Sequence, residues 1–419
     1  MESGFWQTLP GCMRKARGGL GVVMSKNKKW IYAIGGYNHK GEDLRSVEVY
    51  NTETCTWTFA QPMNHKRRGH GVVISPDGKK IYAIGGSNRR GMRALFSVEV
   101  LDLETHTWTM LPRMKSKRRN VGVAISPDGQ LLYAVGGNDG CGDLRSAEVY
   151  HVKHQKWTYL PELGYKRRGA GVAITPDGKN LFAVGGCDGR RVHESVEVLF
   201  IENSGFFLGG LPRKTGCGRA ACAVQRTTPT KVEETKHEPD FESKYITWMQ
   251  VTPMSTAREF PGIAISPEGS KLYVAGGMSS AGWRGQRSCY TSVEVMDIED
   301  ALSGVISGVP THFDPLSPSS GHGKWRELPS ILTKPRRQMG LLLHSDGTKM
   351  YAVGGERCNS VEVLLAEAWN AGDDKRIAAI TKYLAGVDMP RHLSERILEL
   401  GWGVHRRARW EDAANDDFY

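Results

Sequence analysis

The chain has 419 residues, of which 39% are hydrophobic, 24% are charged and 50 are glycine. This apolar content excludes a generally disordered chain, and no segment approaches the ~18 consecutive apolar residues of a membrane-spanning helix. The formal net charge of +11 permits an anionic partner, and eight cysteines without a C-x-x-C pair argue against a disulfide framework or a zinc ribbon. Because the first residues lack a secretory signal, we expect a cytoplasmic protein, with the nucleus or an organelle left open.

The first predicted element is a strand at about residues 5–10. Its Trp6 precedes Arg17 by eleven residues. A spacing of ten or eleven residues to an arginine recurs after Trp57, Trp108, Trp157, Trp248 and Trp325. These later tryptophans lie on the last strand of a repeat, whereas the strand at Trp6 has no repeat before it. We therefore expect it to complete the repeat at the other end of the chain, since an incomplete sheet would leave an unpaired edge.

The following elements repeat about every 50 residues. Residues 71–86, 122–137 and 171–186 align as a strand beginning Gly-Val, a Ser/Thr-Pro-Asp-Gly turn, a second strand and a glycine pair. A third strand similar to Ser-Val-Glu-Val follows, and the tryptophan strand is the fourth. Alternating apolar residues, β-branched side chains and turn residues predict strands rather than helices. The glycine pairs are Gly35 and Gly36, Gly85 and Gly86, Gly136 and Gly137, Gly185 and Gly186, Gly276 and Gly277, and Gly354 and Gly355.

Four-stranded sheets of this length bury both faces by packing on one another around an axis, which predicts an all-β propeller. The glycine pairs and the spaced tyrosine and tryptophan resemble the kelch repeat, over roughly residues 6–365. The resemblance implies a kelch β-propeller over residues 1–365 whose loops recognise other proteins. In this family an arginine common to the connections between blades can brace the turn. Its counterparts here are Arg17, Arg67, Arg118, Arg167, Arg258 and Arg336.

The number of blades depends on the interval of 91 residues between Gly185 and Gly276. This interval is nearly two repeats long and contains two candidates for a fourth strand, around Phe206 and Trp248, and one for a first strand, at residues 219–224. We expect seven four-stranded blades with a degenerate fifth at about 219–254. Six blades with a long insertion remain open. A second interval, of 78 residues, predicts a flexible loop insertion at about 299–323.

Beyond residue 365 the apolar periodicity becomes helical, at Ile377, Ile380 and Leu384 and again at Leu393, Ile397 and Leu400. Residues 366–419 are therefore predicted to be a C-terminal helical extension with an acidic tail. This extension either covers the flank of the propeller or docks a partner. No separate domain accompanies the predicted propeller, which favours a scaffold or a subunit of a larger assembly over a self-sufficient adaptor.

Basic residues are concentrated in two sets of loops. Successive turns alternate between the ends of a propeller, so the connections between blades share one end with the loops between second and third strands. Both sets are rich in lysine and arginine, as in Lys115-Ser-Lys-Arg-Arg119. We predict a basic mouth at that end. Its predicted partner-binding residues are Lys66, Arg67, Arg68, Arg89, Arg90, Lys117, Arg118, Arg119, Lys166, Arg167, Arg168, Arg190, Arg191, Arg258, Arg336 and Arg337.

An acidic protein segment is the first candidate for the anion that this mouth binds. Forked guanidinium groups suit carboxylates and phosphates alike, and the kelch resemblance implies capture of short acidic peptides by arginines of these loops. The extra basic residues beside the aligned arginines, such as Arg68 and Lys66, have no bracing explanation in the family. RNA is the alternative, with Tyr37, Tyr165 and Trp283 as stacking candidates.

Catalysis is the second alternative, because relatives of the propeller fold include a copper oxidase and sialic-acid enzymes. The histidines show no recurrent pairing of the kind that a copper site needs. The third-strand glutamates recur in every repeat, whereas a catalytic acid is needed once. We therefore predict a non-catalytic protein-interaction scaffold or subunit without catalytic residues, metal ligands, cofactor or membrane contact.

Overall fold

The computed structural model describes residues 6–201, 247–279, 288–306, 324–328, 332–344, 347–355 and 359–365. Within these ranges the chain forms six four-stranded antiparallel sheets, one two-stranded hairpin and one helix. The sheets are numbered as blades 1 to 6 in chain order of their first strands. The predicted all-β propeller with four-stranded blades is confirmed.

The four strands of the blades are equivalent from sheet to sheet. The first strands, in blade order, are Gly21–Met24, Gly71–Ile74, Gly122–Ile125, Gly171–Ile174, Gly262–Ile265 and Gly340–Leu343. The second strands are Trp30–Ile34, Lys80–Ile84, Leu131–Val135, Asn180–Val184, Lys271–Ala275 and Lys349–Val353. The third strands are Val47–Asn51, Val98–Asp102, Ala147–His151, Val196–Phe200, Val293–Asp297 and Val361–Leu365. The fourth strands are Thr56–Ala60, Thr107–Leu111, Lys156–Leu160, Trp248–Val251, Arg326–Glu327 and, in blade 6, Trp6–Thr8.

The turn between first and second strands explains why each unit begins as a tight hairpin. In blade 2 the amide of Ser75 donates to the carbonyl of Lys80 at 2.8 Å, and Asp77 Oδ1 accepts a hydrogen bond from the amide of Lys79 at 3.0 Å. Gly78 takes a φ of +80°, which glycine adopts without a steric penalty. The turn sets the register in which Gly71 pairs with Ile84.

The amino-terminal strand closes the ring. Trp6–Thr8 pairs antiparallel with the third strand of blade 6, with Trp6 opposite Leu364 and Thr8 opposite Glu362. Tyr351 and Val353 of blade 6 then pack with Ile31 and Trp57 of blade 1 in one buried cluster. The predicted closure by the segment at residues 5–10 is therefore confirmed for the described residues from Trp6 onward.

The described sheets form a ring of six blades rather than the expected seven. Six blades was the alternative that the long interval between Gly185 and Gly276 had left open. Trp248–Val251 pairs with Val196–Phe200 and is the fourth strand of blade 4, so it does not end a separate blade at 219–254. Blade 4 also packs directly on blade 5, because Val184 and Met296 belong to one cluster. No sheet fits between them, and the other five pairs of neighbouring blades share buried clusters in the same way.

Three segments of the chain that carry predictions fall partly or wholly outside the described residues. The strand candidates around Phe206 and at 219–224 lie outside the described residues. The predicted flexible loop at 299–323 begins instead within the helix Ile298–Ile306, whose Ile298 and Ala301 are buried. The C-terminal extension at 366–419 lies outside the described residues. In the described part of the chain, no helix is long and apolar enough to cross a membrane.

Candidate functional site

The propeller has two chemically different ends. The loop face is formed by the connections between blades and the loops between second and third strands. The turn face is formed by the hairpin turns between first and second strands and the turns between third and fourth strands. The predicted basic mouth lies on the loop face.

Each connection between blades carries one buried arginine that fixes the local backbone. In the connection between blades 2 and 3, Arg118 Nη1 donates to the carbonyl oxygens of Gly136 and Ser146, both at 2.7 Å. Its Nη2 donates to Ser146 Oγ at 2.9 Å, and its Nε and Nη2 donate to Glu148 Oε1 at 3.1 and 2.9 Å. All five guanidinium N–H groups are thus used. The same ion pair with a third-strand glutamate occurs in Arg17–Glu48, Arg67–Glu99, Arg167–Glu197, Arg258–Glu294 and Arg336–Glu362.

These six bracing arginines offer no surface to a partner. Each is at most 1% exposed. Burial lowers the pKa of Arg118, and the charge of Glu148 and its hydrogen bond with Arg118 offset part of that effect. The prediction that Arg67, Arg118, Arg167, Arg258 and Arg336 bind the partner is therefore corrected, because their guanidinium groups are consumed by the turn that they close.

The glycine pairs allow adjacent blades to approach at this network. Gly136 has a φ of +62°, and a Cβ there would lie 2.2 Å from the carbonyl oxygen of Arg167 in the next connection. A side chain would push the two blades apart. The predicted repeat tryptophans lie between blades as well: Trp157 Nε1 donates to the carbonyl of Pro112 at 2.9 Å, and Trp248 Nε1 to that of Pro161 at 3.0 Å.

The arginine that follows a bracing arginine links two neighbouring blades. Arg68 Nε donates to the carboxylate of Asp43 in blade 1. Arg119 Nη1 donates to the carbonyl oxygen of Gly91 in blade 2 at 2.6 Å, and its Nε donates to Asn138 Oδ1 of blade 3 at 3.0 Å. We call Arg68, Arg119 and their equivalents Arg168 and Arg337 the bridging arginines. They are half-buried, and some of their N–H groups donate hydrogen bonds inside the protein.

Arg168 makes the most extensive of these links. Its Nε donates to Glu259 Oε1 at 3.0 Å, and its Nη1 lies 3.5 Å from Asp143 Oδ2. The Arg168 side chain is 24% exposed, whereas the two carboxylates are almost completely buried. Arg337, the remaining bridging arginine, is also half-buried, and its Nη1 lies 2.7 Å from Met278 Sδ of blade 5. The prediction that Arg68, Arg119, Arg168 and Arg337 are spare charges is thereby modified, because all four have internal contacts.

The accessible charge of the loop face lies on other predicted residues. Lys66, Lys117, Lys166, Arg89, Arg90, Arg190 and Arg191 are all exposed. Across the described loops of this face, sixteen lysines and arginines are exposed but only three aspartates and glutamates are. The acidic residues closest to the bridging arginines, Asp43, Asp143 and Glu259, are buried. An anion approaching this face therefore meets a surface with a large excess of positive charge.

Sequence reasoning missed the carboxylates that position the bridging arginines. Asp43 and Asp143 occupy equivalent places in the loops of blades 1 and 3, and each begins the tetrapeptide Asp-Leu-Arg-Ser. That repeated tetrapeptide was the available signal. It did not identify Arg68 and Arg168 as partners, because those residues belong to the connections that follow.

A cavity of about 590 Å³ opens in the blade 4 part of the loop face. Arg190, Arg191 and Tyr165 line it, together with His193 and Asp188. The Tyr165 and His193 rings are 5.2 Å apart. Burial, and then the charge of Arg167, lower the pKa of His193, so this histidine is neutral at physiological pH. The cavity thus combines two exposed arginines and a neutral histidine with the carboxylates of Asp188 and Glu194.

Two further observations concern the alternative functions, catalysis and RNA binding. No group of three or more histidine, cysteine, aspartate or glutamate side chains there could hold a metal ion. Of the stacking candidates, Tyr37 is half-buried, with the Arg68 guanidinium 4.4 Å from its ring centroid, and Tyr165 is 41% exposed. Trp283 lies outside the described residues.

Comparison with known proteins agrees with this architecture. A family model described as the KLHDC2/KLHL20/DRC7 Kelch-repeats domain matches residues 15–206. An F-box/kelch-repeat protein of Arabidopsis thaliana is 52% identical over 33 residues, which are 8% of this chain and only 9% of that protein. The solved structure of YjhT superposes with a TM-score of 0.57 at 14% identity and covers 85% of this chain and 97% of its own, which shows a shared fold.

Proposed function

We propose that this chain, a member of the kelch-repeat family, is a non-catalytic scaffold or complex subunit whose loop face binds an acidic segment of a partner protein. Kelch-repeat domains generally mediate protein–protein interactions. The observation that carries the acidic specificity is the imbalance on the loop face, where sixteen exposed basic residues face solvent against three exposed acidic ones.

The burial pattern supports different tasks for the three groups of basic residues. The bracing arginines hold the connections, and the bridging arginines align neighbouring loops. The residues that meet the partner are the exposed ones, namely the connection lysines Lys66, Lys117 and Lys166 and the loop-tip arginines. Charges at such exposed positions raise the association rate and give a binding affinity that falls as salt is added.

RNA is disfavoured as the anion for a specific reason. Single-stranded nucleic-acid sites combine basic grooves with several exposed aromatic rings. In the described loops of this face, Tyr165 is the large aromatic side chain that is clearly exposed. The same surface charge therefore favours carboxylates on a protein segment over stacked bases.

The experiment that tests the proposal removes charge without touching the fold. We expect the triple variant K66Q/K117Q/K166Q to bind a fluorescein-labelled ten-glutamate peptide about tenfold more weakly than the unmodified protein, because three accessible cations are lost. Fluorescence anisotropy at 50 and 150 mM salt gives both affinities. The matched control K26Q/K153Q/K156Q loses the same charge from exposed positions at the turn face and should bind within about twofold of the unmodified protein.

Two results would contradict the proposal. One is absence of measurable peptide binding by the unmodified protein at 50 mM salt. The other is tighter binding of a ten-nucleotide oligouridylate than of the peptide, with the same dependence on the three connection lysines, which would make RNA the anion.

A further inference from the structure

The loop between the second and third strands of blade 2 is a short hairpin with an unusual tip. Ser87–Asn88 pairs with Arg93–Ala94, and residues 89–92 form the tip. Arg89, Arg90 and Gly91 have φ values of +52°, +60° and +82°. Glycine takes this left-handed conformation freely, but a long side chain takes it at a steric cost. Asparagine or glycine is the usual residue at such positions.

Two contacts hold this tip in its strained conformation, and a third holds Asp43 in place. Asp43 Oδ2 of blade 1 accepts a hydrogen bond from the Arg90 amide at 2.7 Å. The other oxygen of Asp43 accepts a hydrogen bond from Arg68 Nε. From the opposite side, Arg119 Nη1 donates to the carbonyl of Gly91 at 2.6 Å. Backbone strain persists where the surroundings over-determine it, and such positions cluster at functional sites.

While the backbone is fixed, the side chains remain available. Arg89, Arg90 and Arg93 are all exposed, and Met92 between them is 75% exposed. Glu42 is the nearby exposed acid. A hydrogen bond from Asn38 and the charges of Lys40, Lys66 and Arg90 hold the pKa of Glu42 below its ordinary value. A carboxylate at this place is therefore stabilised in its ionised form by the same cations that a partner would meet.

From these contacts we infer that the Arg89–Arg90 tip of the blade 2 hairpin is the principal anchor for the acidic partner segment. This inference rests on the proposed function and makes it more specific. Two guanidinium groups on a preorganised backbone bind carboxylates with less loss of conformational entropy than arginines on a mobile loop. Glu42 competes with the partner for the same cations.

The test uses the full chain and the ten-glutamate peptide. In R89N/R90N the charge is removed and the backbone strain is relieved, because asparagine tolerates positive φ. We expect peptide affinity to fall about tenfold or more, while the melting temperature stays unchanged or rises by about 1–2 °C. R89K/R90K keeps the charge but loses the forked guanidinium geometry, so we expect it to lower peptide affinity by less than R89N/R90N does. E42Q removes the competing carboxylate and should increase affinity about twofold.

The control K26Q/K153Q loses the same net charge as R89N/R90N at turn-face positions and should leave affinity unchanged. Unaltered affinity of R89N/R90N, or a larger loss in R190Q/R191Q than in R89N/R90N, would overturn the blade 2 anchor and leave the proposed function standing. Failure of the unmodified protein to bind the peptide would instead contradict the proposed function itself, so the two failures are distinguishable.

Discussion

The two ends of the propeller treat their charges in opposite ways. On the turn face, exposed lysines meet exposed glutamates, as in Lys29–Glu53 at 2.9 Å and Lys79–Glu104 at 2.7 Å, so the charge is balanced where it is exposed. On the loop face, the acidic partners are buried and the surplus cations remain outside. The comparison shows that the exposed charge of a face depends on which residue of each ion pair is buried, and not only on how many acidic and basic residues the face contains.

The largest effect should come from the bracing network, which separates structural charge from surface charge. We expect Arg118→Ala to lower the free energy of unfolding by about 3–5 kcal/mol, because Glu148 would remain buried without its cation. Urea unfolding followed by tryptophan fluorescence measures the change. Lys117→Ala, at the exposed neighbouring position, should change stability by less than about 0.5 kcal/mol. Equal effects of the two substitutions would erase the distinction between buried and exposed cations.

An intermediate effect should come from His70, which is buried beneath the loop face. Burial, and then the charges of Arg67 and Arg17, lower its pKa from 6.5 to about 3. The unfolded chain therefore binds a proton more readily than the folded protein between these pH values, and stability falls as the pH is lowered through that window. Equivalent positions in other blades carry apolar residues, such as Leu20 and Val121.

His70→Leu should remove this dependence. We expect the stability difference between the variant and the unmodified protein to grow in favour of the variant by about 2 kcal/mol from pH 7.5 to pH 5. Thermal or urea unfolding at both pH values measures it. A difference that does not change with pH would show that burial and the neighbouring arginines do not lower the pKa of His70.

The smallest effect should lie on the turn face. Lys29→Gln breaks an ion pair whose two side chains are more than half exposed, so the change in unfolding free energy should be below about 0.5 kcal/mol and should shrink further in 0.5 M salt. A change comparable to that of Arg118→Ala would contradict the view that turn-face charges are solvated surface pairs.

Much of the fold could be predicted from the sequence because the residues that mark the strand ends lie within each repeat. The Gly-Gly pairs, the Ser-Pro-Asp-Gly turns and the tryptophans each mark a strand end within their own repeat, and the place of Trp6 followed from the spacing to Arg17. The number of blades was harder. Trp248 pairs with Leu199 of blade 4, which lies 49 positions earlier in the chain, and strand pairing over such a distance leaves no periodic signal.

The candidate site was only partly readable for a similar reason. Arg67 and Arg68 are chemically identical neighbours, yet one is buried against Glu99 and the other lies half-exposed against Asp43. The constant spacing from the tryptophan and the kelch resemblance marked Arg67 as the arginine that can brace the turn. The partner of Arg68 depends on which loop the preceding blade presents, and that does not follow from residue type or spacing.

The seam at Trp6–Thr8 has a kinetic consequence. The paired residues Trp6 and Leu364 are separated by more than 350 positions. Contacts between residues so far apart form slowly, because the chain loses conformational entropy before the contact stabilises it. We therefore expect the hairpins within each blade to form early and the pairing that closes the ring to form late.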